Sequence, residues 1–191
     1  MPPISLVAEA HKFIDKTLQS GDIAIDATCG NGHDTLFLAE QVGINGQVYG
    51  FDVQQRALDL TAIKLQEQQQ FKQVELTLAG HERMQAFIPK QHQQDISAIM
   101  FNLGYLPSGD KSIITLAETT LTALNAASQL LKPSGLMTVI VYPGHDGGQQ
   151  ELQALQNWVI HLDSTCFQHT LLTLDEKDST KPRLFTIKKH S

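Results

Sequence analysis

Two aspartates and two glycines are spaced so that together they could hold a nucleoside. In IAIDATCGNGHDTLFLA, residues 23–39, Asp26, Gly30 and Gly32 form the pattern Asp-x-x-x-Gly-x-Gly. The glycines carry no Cβ, so the backbone between them can turn tightly and approach a bound molecule, while Asn31 tolerates left-handed geometry. Asp52 ends a second apolar run, VYGFD at 48–52, twenty residues beyond Gly32. An acid at that distance can accept both ribose hydroxyls. Either aspartate alone reads equally well as a loop cap, whereas the pair argues for a nucleotide-binding corner. Two further stretches carry chemistry-bearing side chains: Asn102 and Tyr105 in FNLGYLPSGD, residues 101–110, and Tyr142, His145 and Asp146 in YPGHDGG, residues 142–148. The first also reads as a glycine-proline turn with a capping asparagine. The second also reads as an exposed loop, although its glycines suit a flexible substrate lid. No second ligand pair stands at metal-binding spacing, so no metal centre is expected.

The elements that must position these residues follow from periodicity. An apolar run at 23–25 predicts a strand that emerges from its sheet at Asp26, and a helix opens at His33 with Leu36, Phe37 and Ala39 toward the sheet. Upstream, Ser5 caps a helix that runs to residue 19 and is stopped by Gly21. Downstream, Gly43 and Asn45-Gly46 turn the chain into the strand at 48–52, and 54–70 reads as a helix. Strands are predicted at 74–78, 96–101 and 136–142, with a helix over 112–131 that Lys132-Pro133-Ser134-Gly135 ends. A helix at 152–160 and strands at 165–174 and 183–188 complete the chain. Alternating strands and helices argue for a mostly parallel sheet with helices on both faces, closed by a C-terminal antiparallel hairpin. Ligands in such sheets lie beyond the carboxyl ends of the strands, near the point where strand order reverses. The loops that begin at Asp26, Asp52, Ala79, Asn102 and Pro143 are therefore where a site is expected.

At 191 residues the chain reads as one domain spanning 1–191, large enough to bury a core without disulfides. With 41% hydrophobic and 18% charged residues it has the composition of a soluble globular protein, and no apolar run approaches a membrane span. The first residues, MPPISLVAEAHKF, lack the features of a secretory signal, so a cytoplasmic location is expected. Cys29 and Cys166 make neither a disulfide framework nor a metal cluster. Cys29 lies within the glycine turn, and Cys166 is expected as a small buried residue of a strand. A net charge of −6 excludes a whole-protein electrostatic grip on nucleic acid. A local patch from Lys177, Lys181, Arg183, Lys188 and Lys189 stays open, as does the alternative that these are solvated ends of edge strands.

The Asp26-Gly30-Gly32 spacing resembles the first motif of class I S-adenosylmethionine-dependent methyltransferases. DATCGNGHDTLFLA, GFDVQ, FNLGYLPSGDKSI, LLKPSGLMTVIVYPGHDGG and KPRLFTIKK together resemble the small bacterial family first labelled as rRNA methylases, over nearly the whole chain. Ser108 and Ser134 stand where that family often has glycine. The resemblance implies a Rossmann-like class I methyltransferase fold with a seven-stranded sheet, and S-adenosylmethionine as cofactor. Cofactor contacts are then expected from Asp26, Thr28, Cys29, Gly30, Asn31, Gly32, His33 and Asp34 in the first loop. The next loops would add Asp52, Val53 and Gln54, then Gly80 and His81, and Asn102. In amine methyltransferases a loop comparable to FNLGYLPSGD often reads Asn-Pro-Pro-Tyr. Here Leu103 and Gly104 replace the prolines. By that likeness Asn102 orients an amine and Tyr105 or Tyr142 stacks on a base, with Gly104, Gly144, His145 and Asp146 around the acceptor; His145 or Asp146 would take its proton.

Family members are linked to methylating the aminomethyl group of a modified wobble uridine in tRNA, which makes the tRNA anticodon stem-loop the implied partner. A homodimer is left open. The rivals are an rRNA or small-molecule methyltransferase and, in another class, a dinucleotide-binding oxidoreductase. The last would want Gly-x-Gly-x-x-Gly, and here Thr35 stands at the third glycine.

Overall fold

The computed structural model describes residues 5–106, 113–175 and 178–191. Seven strands form one sheet in the order β3-β2-β1-β4-β5-β7-β6. They are β1 (Ile23–Asp26), β2 (Gln47–Asp52), β3 (Val74–Leu78), β4 (Ile96–Asn102), β5 (Leu131–Val141), β6 (Phe167–Thr173) and β7 (Arg183–Lys189). β1 to β5 run parallel, and β7 lies antiparallel between β5 and β6. This is the expected outline of a parallel sheet closed by an antiparallel hairpin. β1 pairs on one side with β2 and on the other with β4. The strand order therefore reverses at β1, and a crevice opens beyond its carboxyl end.

The central strands are apolar on both faces because both are covered. Ile25, Ile99 and Phe101 face one apolar cluster, under α4 (Met84–Phe87), α5 (Ala117–Leu130) and α6 (Gly148–Ile160). Ala24, Ala98 and Met100 face the other, under α1 (Leu6–Asp15), α2 (His33–Val42) and α3 (Gln55–Glu67). Alternate residues of one strand thus anchor opposite helical layers, and this fixes the register that sets Asp26, Asp52 and Asn102 side by side at one edge.

Several boundaries differ from the pattern-based expectations, each for a local reason. Ser5 does cap α1, accepting from Ala8 N–H, but the helix ends at Asp15 rather than residue 19. There the N–H groups of Thr17 and Leu18 both donate to the Ile14 carbonyl, which unwinds the last turn. In α2, Thr35, Leu38, Ala39 and Val42 take the buried face, while Leu36 and Phe37 are half-buried beside it. α3 ends at Glu67, before Gln69 enters left-handed backbone. The expected start of the next helix at Ser112 lies outside the described residues, as do Pro107 and Ser108. α5 begins only at Ala117, because Ile114 bridges to Tyr105 and Thr115 N–H donates to the Gly104 carbonyl. Residues 132–135, expected to end a helix, belong to β5, where pairing with β4 shifts register. Ser134 there adopts φ +65°, the backbone that glycine takes without strain. α6 starts at Gly148, not 152, directly from the turn holding His145. Cys166 is exposed and precedes β6, so it is not a buried strand residue; its thiol faces Asp163 Oδ2 at 3.6 Å.

Candidate active site

The glycine turn after β1 straddles the reversal point and is tied to strands on both sides. Ala27 N–H donates to Met100 O of β4 and Cys29 N–H to Phe51 O of β2, each at 2.9 Å. Asp26 is fully buried and sits beneath this turn. It accepts from Thr28 N–H at 3.1 Å and from the Thr35 hydroxyl at 2.5 Å. Burial raises its pKa, and the nearby Asp34 and Asp52 raise it further. Gly32 caps α2 in left-handed backbone, and a Cβ there would lie 2.8 Å from Thr61 Cα, so only glycine fits.

Above the turn lies a cavity of about 990 Å³. Thr28, Cys29, Gly30, Asn31, His33, Asp34, Asp52, Val53, Gln54, Gly80 and His81 line one end. Asn102, Gly104, Tyr105, Tyr142, Gly144 and His145 line the other. Asp26, Gly32 and Asp146 do not line it. The first two brace the turn from below, and Asp146 is exposed and contributes only its carbonyl, which accepts from His145 Nδ1–H at 2.7 Å.

At the first end Asp52 accepts from Gly30 N–H and Gln54 N–H, both at 2.9 Å, one on each carboxylate oxygen. Each oxygen keeps a lone pair for a ligand hydroxyl. Burial raises the Asp52 pKa despite these donors. Asp34 Oδ1 is 2.6 Å from His11 Nε2, whose ring stacks on Phe37. Two carboxylates, Asp34 and Asp52, thus line this end, which suits a cationic ligand, and S-adenosylmethionine with its sulfonium and ammonium groups fits it. Burial lowers His81 to about 4, so the imidazole is neutral, and its ring meets Phe101 edge-on. Burial raises the Cys29 thiol well above its usual value, with Asp26 and Asp52 adding to the effect, so the thiolate nucleophile is suppressed. His33 is exposed and lies 3.0 Å from Lys64 Nζ.

The second end is joined to the first by one hydrogen bond, in which Asn102 N–H donates to Thr28 Oγ1 at 2.7 Å. His145 must carry its proton on Nδ1, because its partner is a carbonyl. Nε2 is then a bare acceptor, buried and without a partner, beside Gly104. The Tyr105 ring stands edge-on to His145 at 5.9 Å. Burial and the charge of Asp34 both raise the Tyr142 pKa, so its phenol stays protonated.

Sequence reasoning named none of Thr115, Glu151 or His11. Only Glu151 left a signal, a charge in helical phase with Leu155 and Val159 on the buried face of α6. Two members of the suggested basic patch are engaged with backbone carbonyls. Arg183 is buried and donates to the carbonyls of Asp178, Lys181 and Pro182, and Lys189 donates to Ser128 O and Leu131 O. Lys181 stands 3.8 Å from Asp178, and Lys177 lies outside the described residues. Among the described residues no group of three His, Cys, Asp or Glu could hold a metal ion, and no helix is long and apolar enough to cross a membrane.

Residues 48–188 match the protein family described as "Putative rRNA methylase". The chain belongs to this family. A Clostridium thermocellum protein of the same description has a structure that superposes with a TM-score of 0.93, at 38% identity over 99% of this chain and 100% of that one. A Streptococcus mutans protein solved in complex with S-adenosylhomocysteine (SAH) superposes with a TM-score of 0.85, at 38% identity over 97% and 98% of the two chains. The Arabidopsis thaliana protein named tRNA (mnm(5)s(2)U34)-methyltransferase, chloroplastic, is 43% identical over 155 residues, 77% of this chain and 56% of its own length. The chain spans about half the length of the curated relatives it matches. The fold is that of the class I methyltransferases.

Proposed function

We propose that the protein is an S-adenosylmethionine-dependent methyltransferase whose acceptor is the aminomethyl group of a modified wobble uridine in a tRNA anticodon stem-loop. One observation carries the reading: Asn102 N–H donates to Thr28 Oγ1, which ties the loop 102–105 to the glycine turn. The name of the Arabidopsis relative supports the substrate. S-adenosylmethionine supplies an electrophilic methyl group on a sulfonium. Asp52 would hold its ribose hydroxyls, and the glycine turn would let the rest of the nucleoside approach the backbone. Asn102 accepts a hydrogen bond from the amine and aims its lone pair, so that orientation contributes much of the acceleration. Tyr142 and Tyr105 offer stacking surface for an unpaired base. An alkylammonium must lose a proton before it attacks, and His145, which lines this end and whose Nε2 has no partner, is the group that would take it.

The test is to incubate tRNA bearing the aminomethyl nucleoside with protein and S-adenosylmethionine, then digest it and identify the nucleosides by mass spectrometry. Conversion of aminomethyl-thiouridine to its methylaminomethyl form is expected. Methyl incorporation into rRNA or a small molecule, with none into tRNA, would overturn the substrate assignment. A thermal shift with NAD and none with SAH would overturn the cofactor.

A further inference from the structure

Glu151 lies on the buried face of α6, 1% exposed. Both of its oxygens are occupied. Oε1 accepts from the Thr120 hydroxyl at 2.6 Å and Oε2 from the Thr115 hydroxyl at 2.9 Å. Since a carboxylate only accepts, the Thr115 proton is committed to Glu151, and a Thr115 lone pair is left for the Gly104 N–H, which donates to it at 2.9 Å. Thr115 N–H in turn donates to the Gly104 carbonyl at 2.9 Å. The Gly104 peptide is therefore clamped on both sides by one residue, in backbone at φ +134° that only glycine readily adopts. A Cβ on Gly104 would lie 3.6 Å from His145 Nε2, so Gly104 and the proposed base are neighbours in the lining of the cavity.

We propose that Glu151 is a positioning residue for the acceptor end, acting through Thr115 to hold the Gly104 peptide and with it the flanking Asn102 and Tyr105. The proposal rests on the reading of that end as the acceptor site. A carboxylate kept in the core for packing alone would be a poor choice, since burial raises its pKa and disfavours the charged form. A glutamine of the same shape has one accepting oxygen in place of two, so it cannot accept from both Thr115 and Thr120, and its NH2 must turn one of these contacts round. Glu151→Gln thus breaks the paired hold while relieving the desolvation cost.

The experiment compares wild type, Glu151→Gln, Thr115→Val and Thr115→Ser in single-turnover methylation of the tRNA, melting temperature and SAH affinity. Glu151→Gln is expected to slow methyl transfer by about 10- to 100-fold, the scale for misplacing a reactant, with melting temperature equal or higher and SAH affinity unchanged. Thr115→Val should lose rate to a similar degree, and Thr115→Ser, which restores the hydroxyl, should recover it. Amide exchange of Gly104 by NMR, with no tRNA present, should accelerate in Glu151→Gln. An unchanged rate, a lowered melting temperature with weakened SAH binding, failure of serine to rescue, or unaltered Gly104 exchange would each overturn the proposal. Should wild type leave tRNA unmodified, the functional reading falls, and the exchange measurement still decides whether Glu151 holds the loop.

Discussion

The two ends of the cavity are built by different means. At the proposed cofactor end the chain uses its own backbone. Glycine and neighbouring amides meet Asp26 and Asp52, residues that end adjacent parallel strands. At the acceptor end, side chains from distant segments do the holding, with Thr28 on Asn102, Thr115 on Gly104, and Glu151 on Thr115 and Thr120. A backbone site tolerates many side-chain changes and fails mainly through its acids and glycines. A site held by side chains can be misaligned without unfolding. Damage at the first end should therefore appear as lost cofactor affinity, and damage at the second as lost rate.

The strongest challenge to that contrast is Asn102→Ala. We expect single-turnover methylation to fall by about 10²-fold or more, with SAH affinity nearly unchanged, because the amine loses its aim and not the cofactor its site. If the side chain merely caps the turn, the variant instead melts earlier, losing about 1 kcal/mol, and keeps its rate per folded molecule. Next in size is Asp52→Ala, which should weaken S-adenosylmethionine binding in calorimetry by about 1.5–3 kcal/mol, the range for hydrogen bonds to a charged group. Equal affinity would remove Asp52 from the cofactor end.

A smaller, pH-dependent effect belongs to the first end. Burial, with Asp34 and Asp52 nearby, raises Asp26, so the folded protein keeps a proton that the unfolded chain releases. Asp26 therefore costs stability as pH rises above the ordinary carboxylate value of about 4. His81, lowered to about 4, acts in the opposite direction, costing stability as pH falls below its unfolded value of about 6.5. Denaturant titrations of Asp26→Asn against wild type isolate the first term. The stability of the variant relative to wild type should climb between pH about 4 and about 7, by at most about 1.4 kcal/mol per unit, and level off above that. A difference independent of pH would mean that Asp26 is not perturbed. The smallest effect is expected from Cys29→Ser, which should keep most activity, since the thiolate is suppressed and amine methylation needs no cysteine adduct. Collapse of turnover with SAH binding intact would point instead to carbon methylation through an adduct.

The sequence alone was enough to establish the strand-turn-helix corner, the acids that end β1 and β2, the parallel sheet with its terminal hairpin, and Asn102 at a strand exit. Each is written in contiguous residues, in apolar runs, in glycines that permit left-handed turns, and in acids at strand ends. Local patterning failed where groups far apart in the chain competed for the same backbone. The helix expected from Ser112 begins only at Ala117, because Tyr105 and Gly104 take the hydrogen bonds of Ile114 and Thr115. In the basic tail Arg183 and Lys189 donate to carbonyls that only the folded chain brings near. Tertiary structure alone decided that His11 meets Asp34, that Thr28 ties the cofactor turn to Asn102, and that Glu151 reaches Gly104 through Thr115. Such contacts leave no period in the sequence, because they depend on which strand edges the sheet order sets side by side and not on the spacing of residues along one element.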